Sequence, residues 1–291
     1  MQVFTTIQDI KNYLIALSTD GQSIGFVPTM GALHSGHISL LERAKRENDM
    51  VVASIFVNPL QFNDKKDLEK YPRTVEQDIE KLKTAICDVV FAPSVEEMYP
   101  NDAGRDFKSR PTLDLGMLDK VMEGLHRPGH FQGVCVAVKK LFEIVEPTKA
   151  YFGEKDFQQL AIIKHMVKTI GLKVEIIPCP TVREADGLAM SSRNALLTKV
   201  ERKNAPHIYK TLVEAKGTKG TIVQLKKWAA DQINSNPYMQ LEYFEIVNAE
   251  TLQPITDNRS PITALRACIA VKMVRKDSFE GSVRLIDNIP F

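Results

Sequence analysis

The sequence predicts an α/β fold in which a doubly wound parallel sheet is followed by a smaller C-terminal α+β domain. Three observations support this prediction. Short apolar runs without polar alternation recur in the first part of the chain, as in strands buried on both faces of a parallel sheet. Segments with helical periodicity separate these runs. After Ser192, helical patterns are followed by consecutive strand-like runs, which is typical of an α+β domain.

The first domain is expected over residues 1–185. Its strand-like runs are Ile24 to Val27, Met50 to Val57, Asp88 to Ala92, Ala150 to Phe152 and Lys173 to Ile177. Its helical patterns are Ile38 to Glu47, Val75 to Cys87, Val134 to Val145 and Phe157 to Ile170. Gly171 follows the last pattern and suits a helix C-terminal cap.

The second domain is expected over residues 186–291. Its helical patterns are Lys199 to Ala215 and Ile222 to Asn234, and its strand-like runs are Leu241 to Val247, Ile262 to Val274 and Val283 to Ile289. Consecutive strands favour an antiparallel sheet. Ligands of an open parallel sheet bind beyond the carboxyl ends of its strands, so a domain packed there would act as a lid.

Composition narrows the classes of function. The 38 lysines and arginines nearly balance the 36 aspartates and glutamates, so neither nucleic acid nor a membrane is an expected partner. No apolar stretch approaches the roughly 20 residues that span a bilayer. The four cysteines are scattered without metal-binding or redox spacing and are interpreted as buried thiols of a cytoplasmic protein.

The most informative motif is His34-Ser35-Gly36-His37, which follows the first predicted strand and its turn. Imidazoles at i and i+3 lie on the same face of a helix. The first turn of a helix offers unpaired backbone N–H groups and the positive end of the dipole, so the motif predicts a phosphate site. Gly36 would let a flat ring such as adenine lie against the backbone. The alternative is an ordinary surface helix start.

Polar clusters follow four of the predicted strands. They are Pro28 to His37, Asn58 to Gln61, Gly153 to Asp156 and Pro180 to Val182. In a parallel sheet these loops meet at one edge, which predicts a single site. Two alternatives remain open: Asn58 and Gln61 as caps of the next segment, and Lys155 with Asp156 as a solvated pair.

Two further segments are candidates for anion binding. Arg127 and His130 belong to a Pro-Gly loop that either closes over an anion or is an ordinary turn. The run 190–193 offers two hydroxyls and a guanidinium, which can bind phosphate oxygens. The remaining histidines are interpreted as structural or surface residues: His126, His165 and His207. Neither a P-loop nor a G-x-G-x-x-G signature occurs.

Seven segments together resemble the pantoate–β-alanine ligase family, a branch of the nucleotidyltransferase superfamily that is related to class I aminoacyl-tRNA synthetases. They are PTMGALHSGH (28–37), SIFVNPLQF (54–62), YPRT (71–74), RPGHF (127–131), YFGEKDFQQL (151–160), PTVREADGLAMSSRN (180–194) and RLIDN (284–288). The resemblance covers nearly the whole chain. It implies a Rossmann-like fold and the ATP-dependent condensation of D-pantoate with β-alanine to pantothenate, AMP and pyrophosphate, the last step of pantothenate biosynthesis.

The resemblance also implies site residues. ATP is expected to contact Met30, Gly31, Ala32, Leu33, His34, Ser35, Gly36, His37, Gly153, Glu154, Lys155, Asp156, Val182, Met190, Ser191, Ser192 and Arg193. Pantoate and β-alanine are expected to contact Asn58, Gln61, Gln159, Tyr71 and Arg127. Catalytic roles are implied for His37, His34 and Lys155, with His37 as proton donor because both imidazoles can be charged near neutral pH.

The chain departs from the wider superfamily in its second signature. Ala189 and Ser192 stand where the signature Lys-Met-Ser-Lys-Ser has its two lysines. Positive charge for the phosphate oxygens must therefore come from other residues. Mg²⁺ is expected with ATP, and Asp78 and Asp156 are candidate contacts. The resemblance suggests a homodimer. Two alternatives remain: a nucleotidyltransferase that retains the nucleotide in its product, and a non-catalytic nucleotide sensor or RNA-binding relative.

Overall fold

The computed structural model describes residues 1–18, 21–100, 112–256, 264–274 and 282–291. The chain divides into two compact units. The first comprises Met1–Leu115, Arg127–Glu154 and Gln159–Pro180, and the second comprises Gly116–His126, Lys155–Gln158 and Thr181–Phe291. The main segment of the second unit begins at Thr181, and two short earlier segments group with it.

The sheet of the first unit is parallel throughout. Its strands are β1 (Gln2–Phe4), β2 (Ile24–Thr29), β3 (Met50–Ile55), β4 (Val89–Phe91), β5 (Lys149–Gly153) and β6 (Glu175–Cys179). Their order is β1-β4-β3-β2-β5-β6. The helices that begin before residue 180 are α1 (Ile7–Ser18), α2 (Ser35–Glu47), α3 (Lys65–Lys70), α4 (Val75–Thr84), α5 (Val95–Met98), α6 (Met122–His126), α7 (His130–Val145) and α8 (Phe157–Ile170).

The second unit contains an antiparallel sheet and three later helices within the part of the chain that the structure describes. The helices are α9 (Lys199–Asn204), α10 (His207–Gly217) and α11 (Ile222–Asn234). The strands β7 (Met239–Asn248), β8 (Leu265–Met273) and β9 (Val283–Pro290) are ordered β7-β8-β9. The predicted fold class, a parallel α/β sheet followed by a small α+β domain, is confirmed.

Several elements differ from their predicted bounds. The sequence analysis missed β1, a three-residue edge strand, and α1, which follows it. The single helix predicted over 199–215 is two helices, because Pro206 lacks the N–H needed to continue the first. Residues 262–263 of the predicted strand 262–274 lie outside the described residues.

Alternating side chains of β2 explain why helices cover both faces of the first sheet. Val27 packs with Leu41 and Ala44 of α2 on one face. Phe26 points the opposite way, and its ring lies 6.2 Å from that of Phe142 on α7. The sheet is therefore buried on both sides, as its continuous apolar strands indicated.

The order of the strands reverses beside β2. The chain passes from β2 to β3 on one side, whereas β5 pairs with the other side of β2. In open α/β sheets, ligands bind at such a switch point, beyond the carboxyl ends of the strands. The turns that follow β2 and β3 start at this edge.

A buried ion cluster explains why the segments 116–126 and 155–158 group with the second unit. The Arg284 guanidinium donates to both oxygens of Glu123 at 2.6 and 2.7 Å and to Glu242 Oε2 at 2.5 Å. Tyr243 Oη donates to Glu123 at 2.8 Å. Gln158 Oε1 accepts the Glu123 N–H at 2.9 Å. Burial alone would raise the pKa of Glu242, but the Arg284 and Lys272 cations outweigh it and lower that pKa.

Among the described residues, no helix is both long and apolar enough to cross a membrane. All four cysteines are free and buried, which confirms their interpretation as buried thiols.

We expect Cys87 and Cys268 to resist alkylation in the native protein. Burial raises the pKa of both thiols to about 12 from an ordinary value of 9.0. At pH 8 the reactive thiolate is therefore on the order of 10⁻⁴ of the total. Iodoacetamide at pH 8, followed by peptide mass spectrometry, should modify both cysteines only after unfolding in urea. Equal rates in native and unfolded protein would contradict the burial of these thiols.

The same shift makes stability depend on alkaline pH. Because the pKa is higher in the folded state than in the unfolded state, the folded state keeps its protons longer. This contribution to the free energy of unfolding is fully present below about pH 9 and is lost as the pH rises towards about 12. Urea unfolding between pH 8 and 11 should therefore show a falling midpoint.

Candidate active site

The histidine pair begins α2, and its side chains cap that helix. His34 is the N-cap residue, and its Nδ1 accepts the Gly36 N–H at 3.1 Å. His37 Nδ1 accepts the His34 N–H at 3.3 Å, which completes a reciprocal capping box. The two rings lie 4.0 Å apart between centroids. The predicted juxtaposition of the two imidazoles at a helix N-terminus is present.

This cap determines which ring nitrogen carries the proton. Since both Nδ1 atoms accept backbone N–H bonds, the cap requires neutral rings with the proton on Nε2. A charged imidazolium would place an Nδ1–H against a backbone N–H. The geometry therefore favours two neutral Nε2–H donors at the positive end of α2; the charged imidazoles predicted for a site with phosphate nearby stay a prediction.

The turn between β2 and α2 depends on a buried carboxylate of α4. Asp78 is 0% exposed and accepts the N–H groups of Ala32 and Leu33, each at 2.8 Å. Thr74 Oγ1 also donates to it, at 3.0 Å. These bonds support left-handed backbone at Gly31 (φ +81°) and Ala32 (φ +49°). Asp78 thus shapes the turn through these bonds.

Two further side chains satisfy the backbone of the same turn. Lys81 Nζ, one helical turn beyond Asp78, donates to Leu33 O at 2.7 Å. Thr29 Oγ1 accepts the Gly31 N–H at 3.1 Å and donates to Ser54 O at 2.6 Å. The turn is therefore stabilised by hydrogen bonds from α4 and, through Thr29, by β3.

Asn58 anchors the turn that follows β3. It is 1% exposed, and its Oδ1 accepts the Leu60 N–H at 3.2 Å and the Tyr99 hydroxyl at 3.1 Å. Its Nδ2 donates to Gln61 Oε1 at 3.1 Å and to Gly133 O at 3.0 Å. The capping role left open in the sequence analysis is therefore real, and Asn58 also orients Gln61.

Gln61 connects the two turns. Its Nε2 lies 3.0 Å from Met30 Sδ, so the turns after β2 and β3 meet at the carboxyl edge of the sheet. Arg127 Nη2 donates to Gln61 O at 3.3 Å. The structure thus brings together four of the residues predicted for the site: Met30, Asn58, Gln61 and Arg127.

Other predicted residues of the first unit lie on neighbouring elements. Tyr71 is buried at the end of α3, with its ring 5.7 Å from that of Phe62. Gly153 ends β5 and Glu154 follows it. Gln159 is half-buried in the first turn of α8.

In the second unit, the predicted phosphate-binding segment 190–193 is held by a short hairpin. Met190 N donates to Val182 O at 3.0 Å, and Arg183 pairs with Ala189. Ser191 caps the following 3₁₀ turn, Ser192–Leu196, with its Oγ accepting the Arg193 N–H at 3.2 Å. The hairpin therefore places Val182 beside the predicted segment.

Lys155 lies two residues after β5 and belongs to the second unit. Its side chain is 17% exposed, and Nζ lies 3.3 Å from Asp156 Oδ1. Its carbonyl oxygen accepts the Asn288 Nδ2–H bond at 2.8 Å.

No role was predicted for the individual residues of the RLIDN segment, although Asp287 and Asn288 position Arg183 and Lys155. Asp287 forms a bidentate pair with Arg183 at 2.6 and 2.9 Å. Burial raises the pKa of Asp287, and the Arg183 cation opposes part of that rise. Asn288 links Arg183 to Lys155, because its carbonyl accepts from the first and its amide donates to the second. In the sequence, the signal for these roles is a pair of polar residues, an aspartate and an asparagine, within an otherwise apolar strand.

Each unit by itself carries groups that suit anionic oxygens. The first provides neutral imidazole donors at a helix N-terminus and amide side chains. The second provides the Lys155 ammonium, the Arg193 guanidinium and serine hydroxyls. Such donors suit phosphate and carboxylate oxygens. The fold and these groups define an α/β enzyme that acts on a phosphate-bearing substrate.

Comparison with known proteins identifies the family. The sequence model for pantoate-β-alanine ligase matches residues 2–290. The chain is 53% identical to pantothenate synthetase of Phocaeicola vulgatus over 294 residues, covering 100% of this chain and 99% of the relative. Pantothenate synthetase from Thermus thermophilus superimposes with a TM-score of 0.85 at 42% identity, covering 99% of both chains.

A further solved structure carries ligands. Pantoate-β-alanine ligase from Francisella tularensis, complexed with beta-gamma ATP and β-alanine, is 37% identical, with a TM-score of 0.79, and the match covers 100% of this chain and 97% of that one. The present chain belongs to the pantoate-β-alanine ligase family and is an ATP-dependent ligase.

We expect Asp78→Asn to destabilise the protein by about 1–3 kcal/mol, because one buried backbone N–H would then face an amide NH₂. Urea unfolding measures the change. Glu76→Gln is the matched control, since it makes the same chemical change at an exposed position of α4. An Asp78→Asn midpoint equal to that of the control would show that the turn does not depend on this carboxylate.

Proposed function

We propose that this protein condenses D-pantoate with β-alanine, using ATP, to give pantothenate, AMP and pyrophosphate through an enzyme-bound pantoyl adenylate. The observation that carries the proposal is the full-length match to the pantoate-β-alanine ligase family. The capped histidine pair at the carboxyl edge of the parallel sheet supports it, because it supplies donors for phosphate oxygens.

In the first step the pantoate carboxylate attacks the α-phosphorus of ATP in line, and the bond to the β-phosphate oxygen breaks to release pyrophosphate. Phosphoryl transfer chiefly requires positioning and positive charge around the phosphate oxygens. His34 and His37 donate through Nε2–H to the developing negative charge, and Lys155 adds a cation. The neutral rings required by the cap suit hydrogen-bond donation without prior protonation.

In the second step the β-alanine amine attacks the acyl carbonyl carbon. A C–N bond forms, the bond from the acyl carbon to the phosphate oxygen breaks, and AMP leaves as the amine loses a proton. No covalent enzyme intermediate is needed. The mixed anhydride reacts readily with water, so we propose that the second unit acts as a lid that excludes water.

We propose the following division of contacts. ATP contacts the turn 30–37, the segment 153–156, Val182 and the segment 190–193. Pantoate contacts Asn58, Gln61 and Gln159, and Gln61 also contacts β-alanine. Tyr71 and Arg127 lie at the entrance for these two substrates. The bonds among Met30, Asn58, Gln61 and Arg127 support the grouping within the first unit.

We propose that Mg²⁺ arrives as part of the substrate, bound to ATP. Within the described ranges, no group of three or more histidine, cysteine or acidic side chains is arranged to hold a metal ion. Mg²⁺ commonly keeps waters and substrate phosphates as ligands, which fits this scheme.

Two properties of the whole protein also remain proposals. We propose a homodimer, supported by the family relationship, and light scattering after gel filtration tests it. We propose a cytoplasmic location, supported by four free, buried thiols that suit a reducing compartment.

We expect pantothenate and AMP to form only when ATP, D-pantoate and β-alanine are all present. The measurement is release of AMP and pyrophosphate by the purified protein, with the two organic substrates added separately and together. A nucleotide-containing product would identify a nucleotidyltransferase for another acceptor. ATP binding without pyrophosphate release in every mixture would identify a sensor.

We expect His37→Ala to slow single-turnover formation of the adenylate roughly 100-fold or more, the scale of losing one positioned donor. Two variants separate catalysis from capping. His37→Asn retains an acceptor near the position of Nδ1 and removes the Nε2–H, so it should fold normally and stay slow. His37→Gln keeps an N–H near Nε2 and should recover part of the rate. Wild-type rates in His37→Asn would refute the donor role.

A further inference from the structure

His130, the first residue of α7, hydrogen bonds to the turn 58–61, which carries two of the residues proposed to bind pantoate. His130 itself has no role in the proposed mechanism. His130 is 6% exposed, and its Nδ1 lies 2.7 Å from Gln61 O. Arg127 Nη1 lies 3.1 Å from His130 Nε2, and Arg127 Nη2 lies 3.3 Å from the same carbonyl oxygen. The three residues form a closed triangle of hydrogen bonds.

The partners of His130 determine its tautomer. A carbonyl oxygen can only accept, so Nδ1 must carry a proton. A guanidinium can only donate, so Nε2 must be unprotonated. His130 is therefore a neutral ring with the proton on Nδ1, the opposite of the tautomer that the capping box requires at His34 and His37.

Surrounding contacts leave this triangle little room to move. A Cβ at Gly133 would lie 2.1 Å from Leu60 O, so the backbones of α7 and the turn are in direct contact. Asn63 Nδ2 donates to Pro128 O on the far side of the turn. Gly129, with φ +82°, turns the chain so that the Arg127 guanidinium reaches Nε2 of His130.

We propose that His130 is a positioning residue for pantoate. It fixes the main chain of Gln61 through Nδ1–H and holds the Arg127 guanidinium beside the same residue through Nε2. This inference rests on the proposed role of Gln61 and Arg127 in substrate binding. The ring itself need not touch a substrate, because both of its nitrogens are occupied by its neighbours.

Steady-state kinetics test the positioning role. We expect His130→Ala to raise the KM for pantoate roughly 10-fold, the scale of losing one to two hydrogen bonds, with the KM for ATP unchanged. His130→Asn keeps a donor near Nδ1 and should recover part of the loss. If His130→Ala fails to fold, the Asn variant carries the comparison. A wild-type KM for pantoate in folded His130→Ala, alongside a raised KM in Gln61→Ala, would overturn the proposal, as would a KM in His130→Asn higher than that in His130→Ala.

A double-mutant cycle tests the link through Arg127. Because His130 acts partly through that guanidinium, the combined His130→Ala and Arg127→Ala variant should lose less than the product of the two single losses. If the combined loss equals the product of the two single losses, His130 and Arg127 act independently and the link between them is wrong.

A spectroscopic test does not require activity. Two-bond ¹H–¹⁵N correlations of ¹⁵N-histidine protein should include a ring protonated at Nδ1 whose signal disappears in His130→Asn. A spectrum with His130 protonated at Nε2 would overturn the proposal even in an active enzyme. Absence of pantothenate formation by the wild-type protein would instead overturn the proposed function, and the tautomer would still be decided independently.

Discussion

The buried carboxylate of Asp78 is the constraint on which the site of the first unit depends. It accepts two consecutive backbone N–H groups from a turn containing two left-handed residues. Without such an acceptor, these N–H groups would be buried and unsatisfied, a cost of a few kcal/mol by the usual scale. The carboxylate therefore sets the direction in which the chain leaves β2. That direction makes His34 the N-cap of α2 and places His37 in its first turn.

The turn after the neighbouring strand, β3, is stabilised in the same way. The turn after β3 carries Asn58 and Gln61 and is held by α7, as the turn after β2 is held by α4. In both cases a loop that bears polar side chains is bonded to a helix elsewhere in the sequence. Loops at the edge of an open sheet are otherwise the more mobile parts of a fold. Pre-organisation of this kind reduces the ordering cost of binding a substrate.

Much of this arrangement could be predicted from sequence, for identifiable reasons. The bounds of α8 and α11 matched because their periodicity is long and Gly171 and Thr221 mark their limits. The meeting of the turns after β2 and β3 at the carboxyl edge followed from the parallel sheet. The hydrogen bonds that Asp78, His130 and Asn288 make to the backbones of Leu33, Gln61 and Lys155 could not be predicted, because those partners lie between 45 and 133 residues away along the chain. Local patterns carry no information about such partners.

The bond between Asn288 and the carbonyl of Lys155 spans 133 positions of the chain. The backbone of Lys155, two residues after β5, is therefore held by a residue of β9, the last strand along the described chain. Before β9 is present, the Lys155 carbonyl lacks this hydrogen bond. Placement of this backbone is therefore coupled to the folding of a strand far along the chain, although the parallel partners of β5 all precede residue 180.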